Sequence, residues 1–252
     1  MKITVLGCSG AELPGHNPPG FLIGDDLLLD AGAVTSVLPE EAQRHLRHIF
    51  ITHGHLDHIR SIPALADNII LRRGWNGVKI YGIKPVLDTI RDHLLNDHVW
   101  PDFTNIPNPD NPVMTYAEIE TGRWITLNGL KIMAIPVNHS VPATGYLVDF
   151  GGRILLYTGD TGPTGEIWRA VERVHTVIVE VSFPERMTAM ALKTGHMSPS
   201  LMKADLAKLK HPPERVLVTH LKPQTSDEIL PEIEALGIPG LTILKDGDVY
   251  GM

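Results

Sequence analysis

Short apolar runs alternate with turn-forming residues through the first third of the chain. Runs that are rich in Val, Ile and Leu and bounded by Gly, Pro, Asn or Asp are typical of β-strands. This pattern predicts strands at residues 2–6, 20–23, 27–30, 48–52 and 78–81, with a loop rich in Pro, Gly and Asn between the first two. The N-terminal part is therefore expected to form a sheet.

Helical periodicity first appears after the fifth predicted strand. Apolar positions in residues 85–96 recur every three or four residues, which predicts an amphipathic helix. Residues 97–111 are dense in Pro, Asn and Asp and predict a long loop, a kind of segment that often has a functional role. Strands are predicted again at residues 124–127, 130–137, 145–150 and 153–158.

Strands and helices alternate in the last third of the chain. The predicted helices are 165–174, 199–209 and 227–236, and the predicted strands are 177–181 and 215–219. Ser198 and Pro199 are residue types that helices favour at the N-cap and in the first turn. No linker separates the two halves, so residues 1–252 are expected to form one domain. We expect an α/β fold in which two sheets pack face to face with helices outside.

Composition narrows the class of protein. The chain has 252 residues, 22 Lys plus Arg against 29 Asp plus Glu, and a formal net charge of -7. This acidic balance argues against a protein that neutralises many phosphates of a nucleic-acid duplex. The single cysteine, Cys8, excludes an intrachain disulfide and a Cys-rich zinc site. No apolar run approaches the roughly 18 residues of a membrane span and no signal peptide follows Met1, so we expect a cytoplasmic protein without a membrane partner.

Four residues of metal-binding types lie within six positions after the fourth predicted strand, in the segment His53-Gly54-His55-Leu56-Asp57-His58. In an extended segment His53 and His55 project to the same side, because side chains alternate with a period of two. A turn after them would present Asp57 and His58 as a second set. Gly54 would leave room where the backbone approaches a metal. The pattern favours two adjacent metal sites over a polar loop with solvated histidines.

Three further residues of ligand type follow predicted strands: His139, Asp160 and His220. Each of them alone is also compatible with a capping residue or a surface histidine. Together they supply the ligands that the segment 53–58 lacks.

The pattern resembles the metallo-β-lactamase superfamily, and the resemblance covers nearly the whole chain. It implies a four-layer αββα sandwich with a dinuclear centre. The first metal would take His53, His55 and His139, and the second would take Asp57, His58 and His220, with Asp160 bridging. Asp30 matches the Asp-x-Gly of that superfamily and would orient a ligand histidine. Its alternative role is that of a residue that forms the turn at the strand end. Nitrogen and oxygen ligands favour zinc, with manganese or iron as alternatives.

Two further features resemble the phosphodiester-cleaving branch of that superfamily, which includes ribonuclease Z. The segment Thr194-Gly195-His196-Met197-Ser198-Pro199 places a histidine before a helix, and Glu180 lies near the end of a predicted strand. The resemblance implies that His196 is a catalytic and substrate-binding cation, which faces the scissile phosphate and is oriented by Glu180. The alternatives are a surface histidine near a helix cap and a buried acid with a structural partner.

The motifs are most similar to those of class II cyclic-nucleotide phosphodiesterases, in residues 52–59, 195–199, 218–223 and, less specifically, 98–104. This resemblance implies hydrolysis of 3′,5′-cyclic AMP or cyclic GMP to 5′-monophosphates by a hydroxide that two metals share. Asp57 would bind the second metal and accept a hydrogen bond from that nucleophile. His196 would stabilise phosphoryl charge or protonate the leaving 3′-oxygen. Trp100 and Phe103 would stack on the base or pack a subunit interface, and a homodimer is implied.

Two alternative functions stay open. A ribonuclease Z would need a basic arm for tRNA, yet six basic residues oppose seven acidic ones between Leu71 and Trp124. A local net charge of about -1 is poor for clamping a polyanion. The other alternative is a non-catalytic, metal-stabilised scaffold or sensor. Degenerate members of a catalytic fold tend to lose ligands, whereas all seven ligand positions here hold His or Asp.

Overall fold

The computed structural model describes residues 1–71, 77–170 and 172–252. The strands of the first half are β1 (Lys2–Gly7), β2 (Gly20–Ile23), β3 (Leu27–Leu29), β4 (His48–Phe50), β5 (Val78–Gly82) and β6 (Met114–Glu118). Those of the second half are β7 (Trp124–Leu127), β8 (Leu130–Pro136), β9 (Thr144–Asp149), β10 (Ile154–Tyr157), β11 (Thr176–Glu180), β12 (Arg215–Thr219), β13 (Leu241–Ile243) and β14 (Val249–Gly251).

Helices follow most of the parallel strands. They are α1 (Val34–Val37), α2 (Glu40–Gln43), α3 (Leu56–Ile59), α4 (Ile62–Ile70), α5 (Lys84–His93), α6 (Glu166–Arg169), α7 (Thr188–Thr194), α8 (Pro199–Leu206) and α9 (Ser226–Ala235). Two single 3₁₀ turns, Glu185–Met187 and Pro223–Thr225, precede α7 and α9. No described helix has the length and apolar character needed to cross a bilayer.

Within the described ranges, the strands form two seven-stranded sheets. The first sheet has the order β14-β1-β2-β3-β4-β5-β6, and the second has the order β13-β12-β11-β10-β9-β8-β7. Strands β3 to β6 run parallel in the first sheet, and β10 to β13 run parallel in the second. Strand β14 pairs with β1, so the C-terminal strand completes the N-terminal sheet.

Three apolar clusters separate the layers. Neighbouring residues of β4 face opposite sides, because Ile49 joins the cluster under the helices of the first sheet and Phe50 joins the cluster between the sheets. In β11, Ile178 also lies between the sheets, while Val179 packs with Trp168 and the helices of the second sheet. This period of two produces a helix layer, two sheets and a second helix layer. The predicted αββα sandwich is confirmed.

The predicted strands all occur, and their ends differ from the predicted ones by at most two residues. The helix predicted over 165–174 is wrong in length, because it ends at Arg169, and residue 171 lies outside the described residues. His175 explains the end of the helical segment, since its backbone N–H donates to the carbonyl of Ile154 and draws the chain alongside β10. Eight of the described elements were absent from the prediction, and most of them have three to five residues: α1, α2, α3, α4, α7, β6, β13 and β14.

The parallel strands of both sheets end at the same edge of the sandwich. Two hydrogen bonds join the sheets there, from the N–H of Thr144 to the carbonyl of Thr52 at 2.9 Å and from the hydroxyl of Tyr146 to the carbonyl of Ile51 at 2.7 Å. Side chains that follow β3, β4, β10, β11 and β12 therefore approach one another. This edge holds the candidate site.

Candidate metal centre

All seven residues that the sequence proposes as metal ligands come together at this edge. One group contains His53, His55, His139 and Asp160, and a second contains Asp57, His58, Asp160 and His220, while Glu180 and His196 form a third with His220. Within each group, one ligand atom per residue lies within 4.8 Å of the others. Asp160 belongs to the first two groups, as expected of a residue shared by two neighbouring sites.

The segment 53–58 divides between the two groups because its backbone changes conformation halfway. His55 is extended and immediately precedes α3, so Asp57 and His58 lie in a helical turn that points them to the second group. Gly54 has a packing role that the sequence did not predict. A Cβ atom on Gly54 would lie 2.8 Å from Cγ2 of Thr89, so glycine at this position lets α5 pack closely against the segment. The room expected for a metal at Gly54 stays a prediction.

The imidazoles present their Nε2 atoms to a common point. In the described part of the chain, Nε2 of His53, His58 and His220 is buried without a hydrogen-bond partner. These atoms lie 3.7, 3.4 and 3.2 Å from Oδ2 of Asp160. Buried polar atoms without partners are uncommon, because each of them destabilises the folded state by about 1–3 kcal/mol. Nitrogen and carboxylate donors that converge without thiolates fit a divalent transition metal such as zinc.

In four of the five proposed ligand histidines, the other ring nitrogen, Nδ1, has a hydrogen-bond partner of its own. His58 Nδ1 lies 2.7 Å from Oδ2 of Asp30, and His139 Nδ1 lies 2.8 Å from the carbonyl of Gly195. His53 Nδ1 lies 3.0 Å from the Thr52 hydroxyl, and His220 Nδ1 lies 2.9 Å from the Ser182 hydroxyl. An acceptor at Nδ1 keeps the proton on that nitrogen and leaves Nε2 free for a metal.

Asp30 is the centre of a buried network in the N-terminal half, which we call the Asp30 network: Asp30, Thr52, Tyr157, His53 and His58. The carboxylate of Asp30 accepts hydrogen bonds from the backbone and hydroxyl of Thr52 and, at 2.7 Å, from the hydroxyl of Tyr157. Its φ of 58° is left-handed, a conformation that aspartate tolerates better than most residues. The contact expected from the sequence, between Asp30 and a histidine of the proposed ligand set, is present.

A second buried carboxylate serves the C-terminal half, in what we call the Glu180 network: Glu180, Ser182, His196 and His220. Oε1 of Glu180 lies 2.7 Å from Nδ1 of His196, and Oε2 accepts a hydrogen bond of 2.8 Å from the Ser182 hydroxyl. The ring of His196 lies 5.1 Å from that of His139 and 5.5 Å from that of His220, measured between centroids. His196 therefore lies beside the candidate centre, with its Nδ1 bound to Glu180.

Neighbouring charges in the candidate centre shift the pKa values of its acidic and imidazole groups. Burial opposes ionisation of Asp160, but His220 and His58 hold the pKa of its carboxyl well below the usual range. Burial also opposes protonation of His58, yet Asp160 and Asp30 raise its pKa well above the usual value. Burial and the nearby His58 lower the pKa of His53 well below its usual value. A metal cation among these groups would balance the charge of the Asp160 carboxylate in place of the proton on His58.

The pKa of His196 is shifted in the direction that favours a cation. Burial opposes its protonation, but the adjacent Glu180 carboxylate raises the pKa above its usual value. The side chain of His196 is 12% exposed, whereas that of Glu180 is fully buried. A partly accessible imidazolium beside a metal centre is suited to contact with an anionic group such as a phosphate.

The loop over 98–104 does not supply the base-stacking ring expected of Phe103. Phe103 is 3% exposed and belongs to the apolar cluster between the first sheet and its helices, so both of its predicted roles are wrong. Trp100 is partly buried against the same cluster, and its predicted role stays a prediction.

Three residues of the two buried networks were missed in the sequence: Thr52 and Ser182, which contact imidazoles directly, and Tyr157, which donates to Asp30. Thr52 had a weak signal, because it directly precedes the 53–58 segment at the end of a strand. Tyr157 and Ser182 had none, since a hydroxyl residue near a strand end is common.

Comparison with known proteins identifies similar chains that share this fold. Residues 26–221 match the family described as beta-lactamase superfamily domain. Ribonuclease Z of Bradyrhizobium sp. (strain ORS 278) is 26% identical over a 303-residue alignment, which covers 98% of each chain. A probable 3′,5′-cyclic-nucleotide phosphodiesterase of Yersinia pestis is 25% identical over 278 residues, covering 88% of this chain and 78% of that protein.

Among solved structures, unliganded yeast PDE1 superposes with a TM-score of 0.84 at 17% identity, covering 100% of this chain and 99% of the other. At this identity the likeness shows the fold alone. The sequence relatives thus carry two different activities in their names, and the fold is common to the group.

Proposed function

This chain belongs to the beta-lactamase superfamily of metal-dependent hydrolases, and we propose that it opens 3′,5′-cyclic nucleotides to 5′-nucleoside monophosphates. The main support is the position of His196. Glu180 holds this one imidazole beside the candidate metal centre, where it is partly exposed. A small cyclic phosphate needs one placed cation, whereas a large polyanion needs a wide positive surface.

We assign the metal ligands as the sequence proposes. His53, His55 and His139 would hold one divalent ion, and Asp57, His58 and His220 a second, with Asp160 in both sets. The donor atoms fit zinc, with manganese or iron as alternatives. When bound, such ions lower the pKa of water and neutralise charge on phosphoryl oxygens.

His196 acts on the substrate in this proposal. Its Nδ1 is bound to Glu180, so Nε2 is the nitrogen left to donate a hydrogen bond. Donation to a phosphoryl oxygen stabilises charge that develops during attack, and a proton passed to the 3′-oxygen assists its departure. The broken bond joins phosphorus to that 3′-oxygen, and the product is the 5′-monophosphate.

Asp57 is the other catalytic residue that we propose. Its side chain is 36% exposed, unlike that of Asp160, and Oδ2 lies 3.5 Å from Nε2 of His220. Burial opposes its ionisation, but the hydrogen bond with His220 and the charge of His58 keep its pKa below the usual range. An ionised and accessible carboxylate can accept a hydrogen bond from the attacking water and orient it.

Ribonuclease Z is the second candidate, because a relative with that name aligns over 98% of the chain. The charges of residues 77–124 do not favour it. Ion pairs neutralise Arg91 with Asp88 and Asp92, and Arg123 with Glu120. Lys84 also pairs with Asp88. Arg72 and Arg73, which the sequence count included, lie outside the described residues.

The test is turnover of a substrate panel by the metal-loaded protein: cyclic AMP, cyclic GMP, bis(p-nitrophenyl) phosphate and a tRNA precursor. We expect the cyclic nucleotides to be opened to 5′-monophosphates. Processing of the tRNA precursor alone would replace this proposal with ribonuclease Z. Bound metal without any turnover would favour the scaffold or sensor. A cytoplasmic location and a homodimer stay predictions.

A further inference from the structure

Ser182 lies where the candidate metal centre meets the Glu180–His196 pair. The residue is fully buried and comes two positions after the end of β11. Its hydroxyl oxygen is 2.8 Å from Oε2 of Glu180, 2.9 Å from Nδ1 of His220 and 3.2 Å from Nδ1 of His196. One hydroxyl thus contacts a proposed metal ligand and both members of the substrate-facing pair.

Hydrogen-bond chemistry decides the direction of these contacts. A serine hydroxyl has one proton to donate and two lone pairs that accept. An ionised carboxylate only accepts, so the Ser182 proton is directed to Glu180. A lone pair of the Ser182 oxygen then accepts a hydrogen bond from the Nδ1–H of His220. This arrangement leaves Nε2 of His220 deprotonated and directed to the shared Asp160, 3.2 Å away.

The Asp30 network contains the same arrangement independently. The Thr52 hydroxyl donates to the Asp30 carboxylate at 2.9 Å and lies 3.0 Å from Nδ1 of His53. In both halves, therefore, a carboxylate orients a hydroxyl, and the hydroxyl orients an imidazole of the proposed ligand set. Two occurrences on different sheets argue that the arrangement serves the metal centre and is not a local accident of packing.

We propose that Ser182 is a positioning residue that joins His220 to the Glu180–His196 pair. Its hydroxyl keeps the proton of His220 on Nδ1, and it holds Glu180 in the orientation that His196 needs. The part of this role that concerns His196 rests on the proposed function, whereas the part that concerns His220 requires only that metal binds. Ser182 acts through these two histidines and does not itself touch the substrate.

The backbone of Ser182 has a separate role, which makes a side-chain test possible. Its N–H donates to the carbonyl of Met197 at 3.0 Å and fixes the segment after His196 to the end of β11. Ser182→Ala keeps this backbone bond and removes only the hydroxyl. Ser198→Ala is a matched control, because Ser198 is equally buried and its hydroxyl contacts Thr188 and Glu185 instead.

The first measurement is zinc affinity by competition with a chromophoric chelator, which needs no substrate. In Ser182→Ala we expect one of the two ions to bind roughly 10- to 100-fold more weakly, as is usual when the partner of a ligand histidine is lost. The other ion, held by His53, His55 and His139, is an internal control and should bind as in wild type. Unchanged affinity for both ions would overturn the proposal, as would an equal loss in Ser198→Ala.

The second measurement is steady-state turnover at saturating zinc. Ser182→Ala should lower kcat by roughly tenfold, about the effect of one lost hydrogen bond in a catalytic arrangement, and leave KM nearly unchanged. Ser182→Thr keeps a hydroxyl, as Thr52 does in the other network, and should restore both zinc binding and kcat. If threonine behaved like alanine, the hydroxyl would not be the cause and the proposal would fail.

The two measurements also separate this inference from the proposed function. If cyclic nucleotides were not hydrolysed but Ser182→Ala still lost one ion, the contact with His220 would stand and only the activity would be reassigned. If cyclic nucleotides were hydrolysed and Ser182→Ala bound both ions normally, the inference would be wrong and the proposed function would remain.

Discussion

Each half of the chain contributes one buried carboxylate to the candidate centre, and the two carboxylates have different partners. Asp30 contacts His58 directly and His53 through Thr52, so both imidazoles at this carboxylate belong to the proposed ligand set. Glu180 contacts His220 through Ser182, but its direct partner is His196, which is outside that set. In the proposed assignment, the N-terminal network would therefore serve metal binding alone, and the C-terminal network would link metal binding to the substrate.

Accessibility follows the same division. His58, the direct partner of Asp30, is fully buried, whereas the side chain of His196 is 12% exposed. A ligand imidazole gains from complete burial because competing water is excluded. An imidazole that must meet a substrate has to keep one edge open. The two carboxylate–histidine pairs thus differ in their exposure to solvent, in the direction that the proposed roles require.

Removal of metal should cause the largest loss of activity, because both networks hold histidines of the proposed ligand set. Purified protein should hold close to two transition-metal ions per chain, and chelation should abolish activity. Elemental analysis and activity after dialysis against chelator measure both, and activity should return with added zinc. Protein that held no metal and was insensitive to chelator would end the dinuclear assignment.

His196→Ala should separate the networks most clearly. Loss of a cation or general acid at the phosphate is worth roughly 10²- to 10³-fold in rate, so kcat should fall by that order. Metal content should stay at the wild-type level, because the proposed assignment does not use His196 as a ligand, although His196 lies with Glu180 and His220 in a third group of ligand-type residues. Elemental analysis and steady-state kinetics on the same preparation measure the two effects.

Either of two results would break this distinction. Loss of an ion in His196→Ala would mean that the variant had removed a ligand and that the assignment of the second site is wrong. Wild-type turnover would return His196 to the role of a histidine near a helix cap.

Asp30→Asn tests the N-terminal network. Asparagine tolerates the left-handed backbone at this position, but its amide cannot accept all the hydrogen bonds that reach the carboxylate. We expect metal affinity to fall roughly 10- to 100-fold, with kcat at saturating metal much less affected than in His196→Ala.

Asp205→Asn is the control for Asp30→Asn. Asp205 is also a buried carboxylate, but it accepts hydrogen bonds from Trp168 and from the N–H of Thr164. This variant should lower the melting temperature and leave metal affinity unchanged. If both variants weakened metal binding equally, the loss would reflect general destabilisation and not the contact with His58.

Glu180→Gln should have the smallest effect of the series. Glutamine keeps one acceptor oxygen and the side-chain volume, but it removes the negative charge that orients His196 and favours its protonation. We expect kcat to fall by roughly tenfold, about 1.4 kcal/mol, which is less than in His196→Ala. A loss as large as that of His196→Ala would mean that the charge of Glu180 matters more than the presence of the imidazole.

Local sequence rules predicted much of the fold and the proposed ligand set. Strands such as β4 and β11 are recognisable because they are short apolar runs, and the structure shows that both of their faces are buried in apolar clusters. The segment 53–58 is recognisable because its ligand-type residues are nearly contiguous. The short helix α3 within that segment was not recognised, since four residues are too few to show a periodicity.

The sequence by itself determined which side chains meet at the candidate centre, because ligand-type residues follow the strands whose ends converge. Only the tertiary structure decided which groups orient those side chains. The Tyr157 hydroxyl reaches Asp30 across 127 residues, and the Ser182 hydroxyl reaches His220 across 38. A hydrogen bond requires donor and acceptor within about 3.5 Å, and no local pattern encodes that approach. These contacts exist only after the two sheets have packed, which is why the metal motif is visible in the chain and its supporting networks are not.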